Sequence, residues 1–552
     1  MFNLVSRNYV SFLKVIGIAL LFAPMWGLMW HNVNFNEMWN FTWASQRIKA
    51  ELADGQPVKA ALYVAVYAFA LIGIFVVPFV RGSILRVAIV AILMTGWFID
   101  HFFLEMNGVF SNRDLISLLW DEWHLSGDAI SAYQALLLRN FLLAASIAVV
   151  FCMPPQKPIS LSRSWAVVPA VALLCVAALV NFARTGALLF PVPYSLVSTG
   201  TLLTLGIGGN RPFGYFTARN IDRNRVIAAP VQKSHQFKKI VMIMDESVRG
   251  DQLSINGAGA ETTPFLKNEA GLINFGIAIS GGNCSAVSRA IFRYGLRPRH
   301  MPDKWDEGSK APLIWQFASN AGYHTYHIDG VAGPLQLHNG FTSKEQSLID
   351  TEIPVLDVPD YTRDNKIAER VLSLLDEDQA MFLLIDKHGL HFPYEKRHPP
   401  LQGDSRRNTL EHYGEGITWS VDEFFRRLMA KFDSPDTLMI YTSDHGQSLR
   451  EDQQTHCTVA KHVNPDEAAV PLFAATGDQR FEQRMRQAAR SGFNRMSHFE
   501  IFPTLLVAMG YDEVWVKKAY GPSLLDGPSE GPRSFMVGNP YLNPELIIAD
   551  PH

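Results

Sequence analysis

The chain carries two hydrophobic patterns. Up to about residue 190 it runs in long apolar blocks; beyond that, short apolar runs end in polar clusters. Five blocks are long enough to be membrane spans, near Phe12–Trp30, Val58–Val80, Val87–Leu104, Ala135–Met153 and Trp165–Ala183. The first lacks a clear small-residue cleavage site and is followed by further spans, so it reads as a span rather than a cleaved leader. The pattern predicts a helical five-span membrane domain over residues 1–184, a Pro- and Gly-containing connector over 185–235, and a soluble domain over 236–552.

Lys and Arg near the span ends set the expected orientation. Arg7 and Lys14 flank the first span, Arg81 and Arg86 lie between the second and third, and Lys157 and Arg163 between the fourth and fifth. These would face the cytoplasm. The loop after the third span carries Glu105, Asp114, Asp121, Glu122 and Asp128 and would face outward. The loop after the first, with Arg47, Lys49 and Lys59, fits this scheme less well. Everything after Arg184 is then expected outside, which in a Gram-negative cell is the periplasm. The connector stretch "NRPFGYFTARNIDRNR" mixes aromatic and basic residues. That suits either a membrane-surface segment or a solvated linker.

In the soluble part, "KKIVMIM", "AMFLLID", "DTLMIYT" and "AVPLFAA" read as buried strands, and "APLIWQFASNAG" and "GITWSVDEFFRRLMAKF" as helices between them. Near-continuous apolar strands alternating with helices predict an α/β domain whose mostly parallel central sheet is covered on both faces. Three strands end in polar clusters: Asp245–Glu246, His388 with His391, and Asp444–His445. Sites in such sheets form beyond the carboxyl ends of the strands, so one sheet edge is expected to gather all six residues into a metal or catalytic centre. Carboxylates, a neutral imidazole and a hydroxyl suit zinc better than magnesium, which tends to keep its waters and avoid histidine. One zinc ion is expected, with a second left open.

Composition narrows the classes. With 49 Lys+Arg against 52 Asp+Glu the net charge is -3, so the basic face of a nucleic-acid binder is not expected. Of four cysteines, Cys152 and Cys175 lie in apolar stretches, leaving Cys284 and Cys457, too few for a disulfide scaffold or a cysteine zinc site.

A nucleophile is offered by "GGNCSAVSRAIFRYGLR", residues 281–297. The glycines and Asn283 read as a turn and cap, with helix from Ser285 onward. A hydroxyl at a helix start meets unpaired backbone N–H groups that favour a phosphate. Arg289, four residues on, shares that face and is expected to hold a phosphoryl oxygen. Cys284 is the rival nucleophile, since a helix start activates a thiol.

These motifs together resemble the membrane phosphoethanolamine transferases of the alkaline phosphatase and sulfatase superfamily. "IMDESVRGDQLSING" is similar to their glutamate-bearing strand end, which implies Glu246 as a zinc ligand; "YTSDHGQSL" implies Asp444 and His445. "GGNCSAVS" resembles their nucleophile segment, with Ser285 standing where they usually have Thr; a metal on the Ser285 oxygen as well as on Glu246, Asp444 and His445 would favour the alkoxide at neutral pH. "HFPYEKRHPP" and "EDQQTHC" point to His391 and His456 as substrate-binding residues, and His388 joins them. "MSHFEIFPTLL" resembles their sequence around a Ser-His pair. The resemblance implies transfer of phosphoethanolamine from phosphatidylethanolamine, a donor lipid of the bilayer, through Ser285 to a glycan or glycolipid acceptor such as lipopolysaccharide. It implies a multi-pass protein of the bacterial inner membrane, with Asp245 orienting a ligand or an arginine.

The chain departs from that pattern in two ways. Pro and Cys after the nucleophile are missing, and only Cys284 and Cys457 could pair among the outer cysteines. They adjoin Ser285 and His456, and a bridge between them stays open. Two other readings remain: a phosphoglycerol transferase like lipoteichoic acid synthase, and a membrane-anchored sulfatase. For the latter, "SAVSR" resembles the sulfatase signature but has Val287 where that signature has Pro.

Overall fold

In the computed structural model, the described residues are 41–107, 126–153, 160–182, 196, 198–200, 202, 222–228, 230, 235–298, 307–331, 343–401, 408–450, 455–458, 463–537 and 545–549. The chain divides into two compact units, Met1–Tyr215 and Phe216–His552.

The first expected span lies outside the described residues. The other four fall on the helices Pro57–Phe75, Ser83–Asn107, Ser126–Cys152 and Val167–Phe182. Among the described residues, Pro57–Phe75 is the one helix long and apolar enough by itself to cross a membrane. Proline at its first turn starts it without losing a hydrogen bond, because that N–H has no partner inside the helix. Where the chain turns after it, Arg86 is buried and donates to the carbonyls of Val80 (2.6 Å) and Cys152 (2.7 Å). Arg81 donates through its backbone N–H to Leu161 (3.0 Å). The ends of the two basic turns therefore lie side by side.

The second unit is built on a seven-stranded sheet in the order β2-β7-β6-β1-β5-β3-β4. The strands are β1 (Lys239–Asp245), β2 (Ile273–Ile279), β3 (His324–Asp329), β4 (Thr351–Pro354), β5 (Met381–Asp386), β6 (Thr437–Ser443) and β7 (Ala469–Thr476). The β1, β3, β4, β5 and β6 pairings are parallel, whereas β7 runs antiparallel to both β6 and β2. The sheet is mostly parallel. A further pair, β8 (Ser534–Val537) and β9 (Glu545–Ile548), is antiparallel.

β5 and β6 are buried along their whole length, and β1 along all but its first residue, which is why they read as unbroken apolar runs. On one face Val241, Leu383 and Tyr441 pack against Ile367 and Val371 of helix Asp360–Leu375 and against Phe424 and Phe425. Phe425 meets Tyr441 edge-on at 4.9 Å. A Phe425→Ala change should cost about 3–5 kcal/mol through lost burial and the cavity left behind. This packing holds the carboxyl ends of β6, β1 and β5 as three neighbours along one edge.

Candidate functional site

β1 and β6 run in parallel register with Asp245 opposite Ser443. The residues just past them, Glu246 and Asp444–His445, therefore emerge together. The Asp444 N–H donates to the Asp245 carbonyl at 2.9 Å. Ser247 turns the chain with a left-handed φ of 62°, and its N–H donates to Asp444 Oδ1 at 3.2 Å. Among the described residues, Glu246, Asp444 and His445 form the one group of such side chains fit to hold a metal ion, with ligand atoms within 4.8 Å of one another. The imidazole is oriented for this role. Its Nδ1–H donates to the Gly446 carbonyl at 2.6 Å, which turns Nε2 toward Glu246 and Ser285, where a metal would take its lone pair. Two carboxylates, an imidazole and the nearby hydroxyl of Ser285 fit a borderline dication such as zinc.

Without such an ion the charges lean on one another. Burial raises the Glu246 carboxyl, but the hydrogen bond from His445 and the charges of Arg289 and His445 outweigh it and hold Glu246 well below the usual range. Burial and the adjoining Glu246 lift Asp444 to about 6. His445 is pushed down by burial but up by Asp444 and Glu246, and reaches about 9. A bound dication would keep both carboxylates charged and favour the neutral imidazole.

Ser285 opens the helix Ser285–Tyr294, which Gly295 closes in a left-handed turn (φ 62°). Cys284, not Asn283, is the residue that precedes the first helical turn, and its side chain makes no cap. Ser285 Oγ lies 3.0 Å from His445 Nε2 and 3.4 Å from Glu246 Oε2. Cys284 is bridged to Cys457, which removes the rival thiol nucleophile.

Arg289 has other partners than those expected. It is buried, with its guanidinium on Glu246 (2.8 Å), Asp444 (3.2 Å) and Asp386 (3.5 Å). It acts as a fixed cation between the carboxylates, which is also why its own basicity is raised. Ser288, one residue before, meets His498 Nδ1 at 3.1 Å, and His498 Nε2 meets Thr442 at 3.1 Å. The Ser-His stretch near the C-terminus thus braces this helix against β6.

Asp245 pairs with the fully buried Lys387, not with an arginine, and its Oδ1 accepts the Glu246 N–H at 2.9 Å. It shapes the turn that aims Glu246. Burial still lifts the Asp245 carboxyl, to about 6, against the pull of Lys387. The loop after β5 crosses this turn closely: a Cβ on Gly389 (φ 57°) would sit 2.5 Å from the Glu246 carbonyl. Glycine is required there.

His388 is buried beside Arg397, Arg363 and Asp360, and burial with Arg397 lowers it to about 4. It does not reach the Glu246 group directly. Arg397 donates to the His391 carbonyl and so fixes that residue's backbone. The His391 ring is 5.7 Å from that of His456, which stacks on His445 at 4.4 Å. Burial, then the charges of His445 and His391, keep His456 neutral well below its usual range. Ser285, Glu246, Asp444, His445, His391, His456 and Arg289 thus share one neighbourhood, with His388 behind it. Sequence reasoning missed Lys387, Asp386 and Glu467. Lys387 sits in the very cluster "DKHG" that drew attention to His388, and a lysine closing a buried apolar run was the available signal.

Comparison with known proteins adds a family. Residues 238–511 match the Sulfatase family. The Kdo(2)-lipid A phosphoethanolamine 7''-transferase of Escherichia coli (strain K12) is 21% identical over 301 residues, 49% of this chain and 51% of that protein. Its counterpart from Salmonella typhimurium is 22% identical over 299 residues, with the same coverage. The chain spans about half the length of these curated relatives. The integral membrane lipooligosaccharide phosphoethanolamine transferase A of Neisseria meningitidis shares the fold, with a TM-score of 0.58 and 17% identity over 89% of this chain and 96% of its own.

Proposed function

We propose that this chain belongs to the phosphoethanolamine transferase branch of the sulfatase family and transfers phosphoethanolamine from phosphatidylethanolamine to a lipopolysaccharide or other glycan acceptor. The carrying observation is the placement of Ser285 Oγ, at a helix start, within 3.0 Å of His445 Nε2 and 3.4 Å of Glu246 Oε2. That is a hydroxyl presented at a helix start to a buried group of metal-ligating side chains.

In the first half-reaction the bond from Ser285 Oγ to phosphorus forms, the bond to the diacylglycerol oxygen breaks, and diacylglycerol leaves. The Ser285 proton departs and the diacylglycerol oxygen gains one. In the second, an acceptor oxygen takes the phosphoethanolamine and Ser285 regains its proton. Glu246, Asp444 and His445 would hold zinc, whose positive charge favours loss of the Ser285 proton and offsets charge on the phosphoryl oxygens. His456, stacked on His445, and His391 beside it would position the phosphoryl group and move these protons. Arg289, tied to three carboxylates, keeps their charge balanced beneath Ser285. Asp245 and Lys387 aim Glu246 from below.

The first unit would place the protein in the bacterial inner membrane as a multi-pass chain, with the second unit in the periplasm. The pairing of the two basic turns supports that topology. The test is release of labelled diacylglycerol by the metal-loaded protein in detergent from phosphatidylethanolamine carrying a fluorescent acyl chain. Phosphatidylglycerol and a sulfate ester run alongside. Turnover of phosphatidylethanolamine is expected. Exclusive turnover of phosphatidylglycerol or the sulfate ester would replace the reading with a phosphoglycerol transferase or a sulfatase.

A further inference from the structure

Glu467 is a buried carboxylate that the proposed chemistry does not use. It sits in the turn Pro465–Ala468 just before β7, and only 1% of it is exposed. Among the described residues no lysine or arginine pairs with it. A buried, unpaired carboxylate is costly unless several N–H groups point at it. Glu467 Oε2 accepts from Asn283 Nδ2 at 2.9 Å and from the Thr458 N–H at 3.1 Å, and Oε1 accepts from the Asn464 N–H at 3.3 Å. Its own backbone carbonyl accepts the Gly446 N–H at 2.9 Å.

Three of those partners come from the three segments that carry the site; Asn464 belongs to the turn itself. Asn283 lies two residues before Ser285, Thr458 two after His456, and Gly446 one after His445. The first two segments are also zipped to each other. The Cys457 N–H donates to the Asn283 carbonyl at 2.9 Å, Asn283 Nδ2 donates to the Thr458 carbonyl at 2.8 Å, and Cys284 is bridged to Cys457. A disulfide fixes one point and leaves the chain free to pivot about it. Cys457 sits at a left-handed φ of 61°, a conformation that neighbouring contacts must hold. The clamp from Glu467 to Asn283 and Thr458 adds an anchor from outside the two zipped segments.

We propose that Glu467 is a positioning residue that holds the His456 ring against His445 and Ser285 by clamping Asn283 to Thr458. The placement is a matter of geometry; its bearing on transfer rests on the function proposed above.

The test uses the full-length, metal-loaded protein in detergent and a probe that needs no donor lipid. Diethylpyrocarbonate labelling of His456 is followed by peptide mass spectrometry and expressed relative to His235, a histidine outside the site. Glu467→Ala should raise the His456:His235 ratio about tenfold, the scale set by losing buried hydrogen bonds. Glu467→Gln, which keeps an acceptor oxygen, should stay within about threefold of the wild type. Metal content and the absence of free outer thiols should be unchanged in both. A general loosening would raise both histidines together and leave the ratio flat. Should Glu467→Ala fail to fold, Asn283→Ala removes the other side of the clamp and carries the same expectation. A wild-type ratio in a folded Glu467→Ala or Asn283→Ala protein overturns the inference, even if that protein still transfers. A wild-type protein that releases no diacylglycerol, while its Glu467→Ala variant shows the raised ratio, sinks the donor reading and upholds the positioning role.

Discussion

The two halves of the site are built differently. Glu246, Asp444, His445 and Arg289 sit at the ends of β1 and β6 or on the helix beneath them, all buried. Sheet register sets their backbone and charge sets their side chains. His391 and His456 sit on loops, are only partly buried, and are held by Arg397, by the Cys284–Cys457 bridge and by Glu467. The first half is fixed by secondary structure and cannot move without breaking the sheet. The second is fixed by a few long-range ties, each of which a single substitution removes. The strand-end half and the loop half of the site therefore rest on separate supports.

Substitutions can break that comparison at either half. The largest effect is expected from Ser285→Ala, which should lower transfer by at least about 10³-fold while Glu246, Asp444 and His445 still bind metal, as read by diacylglycerol release and elemental analysis. Arg289→Met should come next. It strands Glu246, Asp444 and Asp386 without their shared cation and should cost about 3–5 kcal/mol of stability in the metal-free protein. Added zinc should recover more of the thermal unfolding midpoint than it gives the wild type, because the ion supplies the missing charge.

A loop change should be milder and of another kind. His456→Ala is expected to reduce the first half-reaction about 10²-fold with metal affinity and thermal stability near wild type. A matching loss of metal would merge the two halves into one.

The most gradual effect, smallest per step, is on pH. In the metal-free site His445 titrates near 9 and Asp444 near 6, and a metal needs both without their protons. Metal affinity should therefore rise about tenfold per pH unit between about 6 and 9, where one proton is displaced, and more steeply below. Chelator competition across that range measures the slope, and a flat profile would remove His445 from the ligand set.

Much of the strand-end half was legible in the sequence. "KKIVMIM" and "DTLMIYT" are apolar because β1 and β6 are buried on both faces, so their polar ends stand out. β2 and β3 were not legible. "INFGIAI" is interrupted by Asn274 and Gly276, where its pairing with β7 shifts register, and "HTYHID" spends His327 on an internal bond to Asp386. β4 has four residues at the sheet edge, too short for a periodic signal. The direction of β7 was equally hidden, since a buried strand reads alike whichever way it runs. Of the loop half, the histidines were visible but their anchors were not. Glu467 sits in "NPDEAAV", which reads as an ordinary acidic turn, and its partners lie 9 and 184 residues away. Arg223, read within a membrane-surface or solvated connector, is buried against Glu345 and lies over the Tyr294 ring at 3.9 Å. Long-range pairings of this kind leave no local pattern.

The central claim is that Ser285 carries the phosphoethanolamine. Its most direct test is the intact mass of the full-length, metal-loaded protein after exposure to phosphatidylethanolamine without acceptor, in the wild type and in Ser285→Ala. The account predicts a mass gain of one phosphoethanolamine group, mapped by peptide fragmentation to Ser285 and absent from the variant. Diacylglycerol release with no adduct on the wild type, or an adduct that persists in Ser285→Ala, would contradict it.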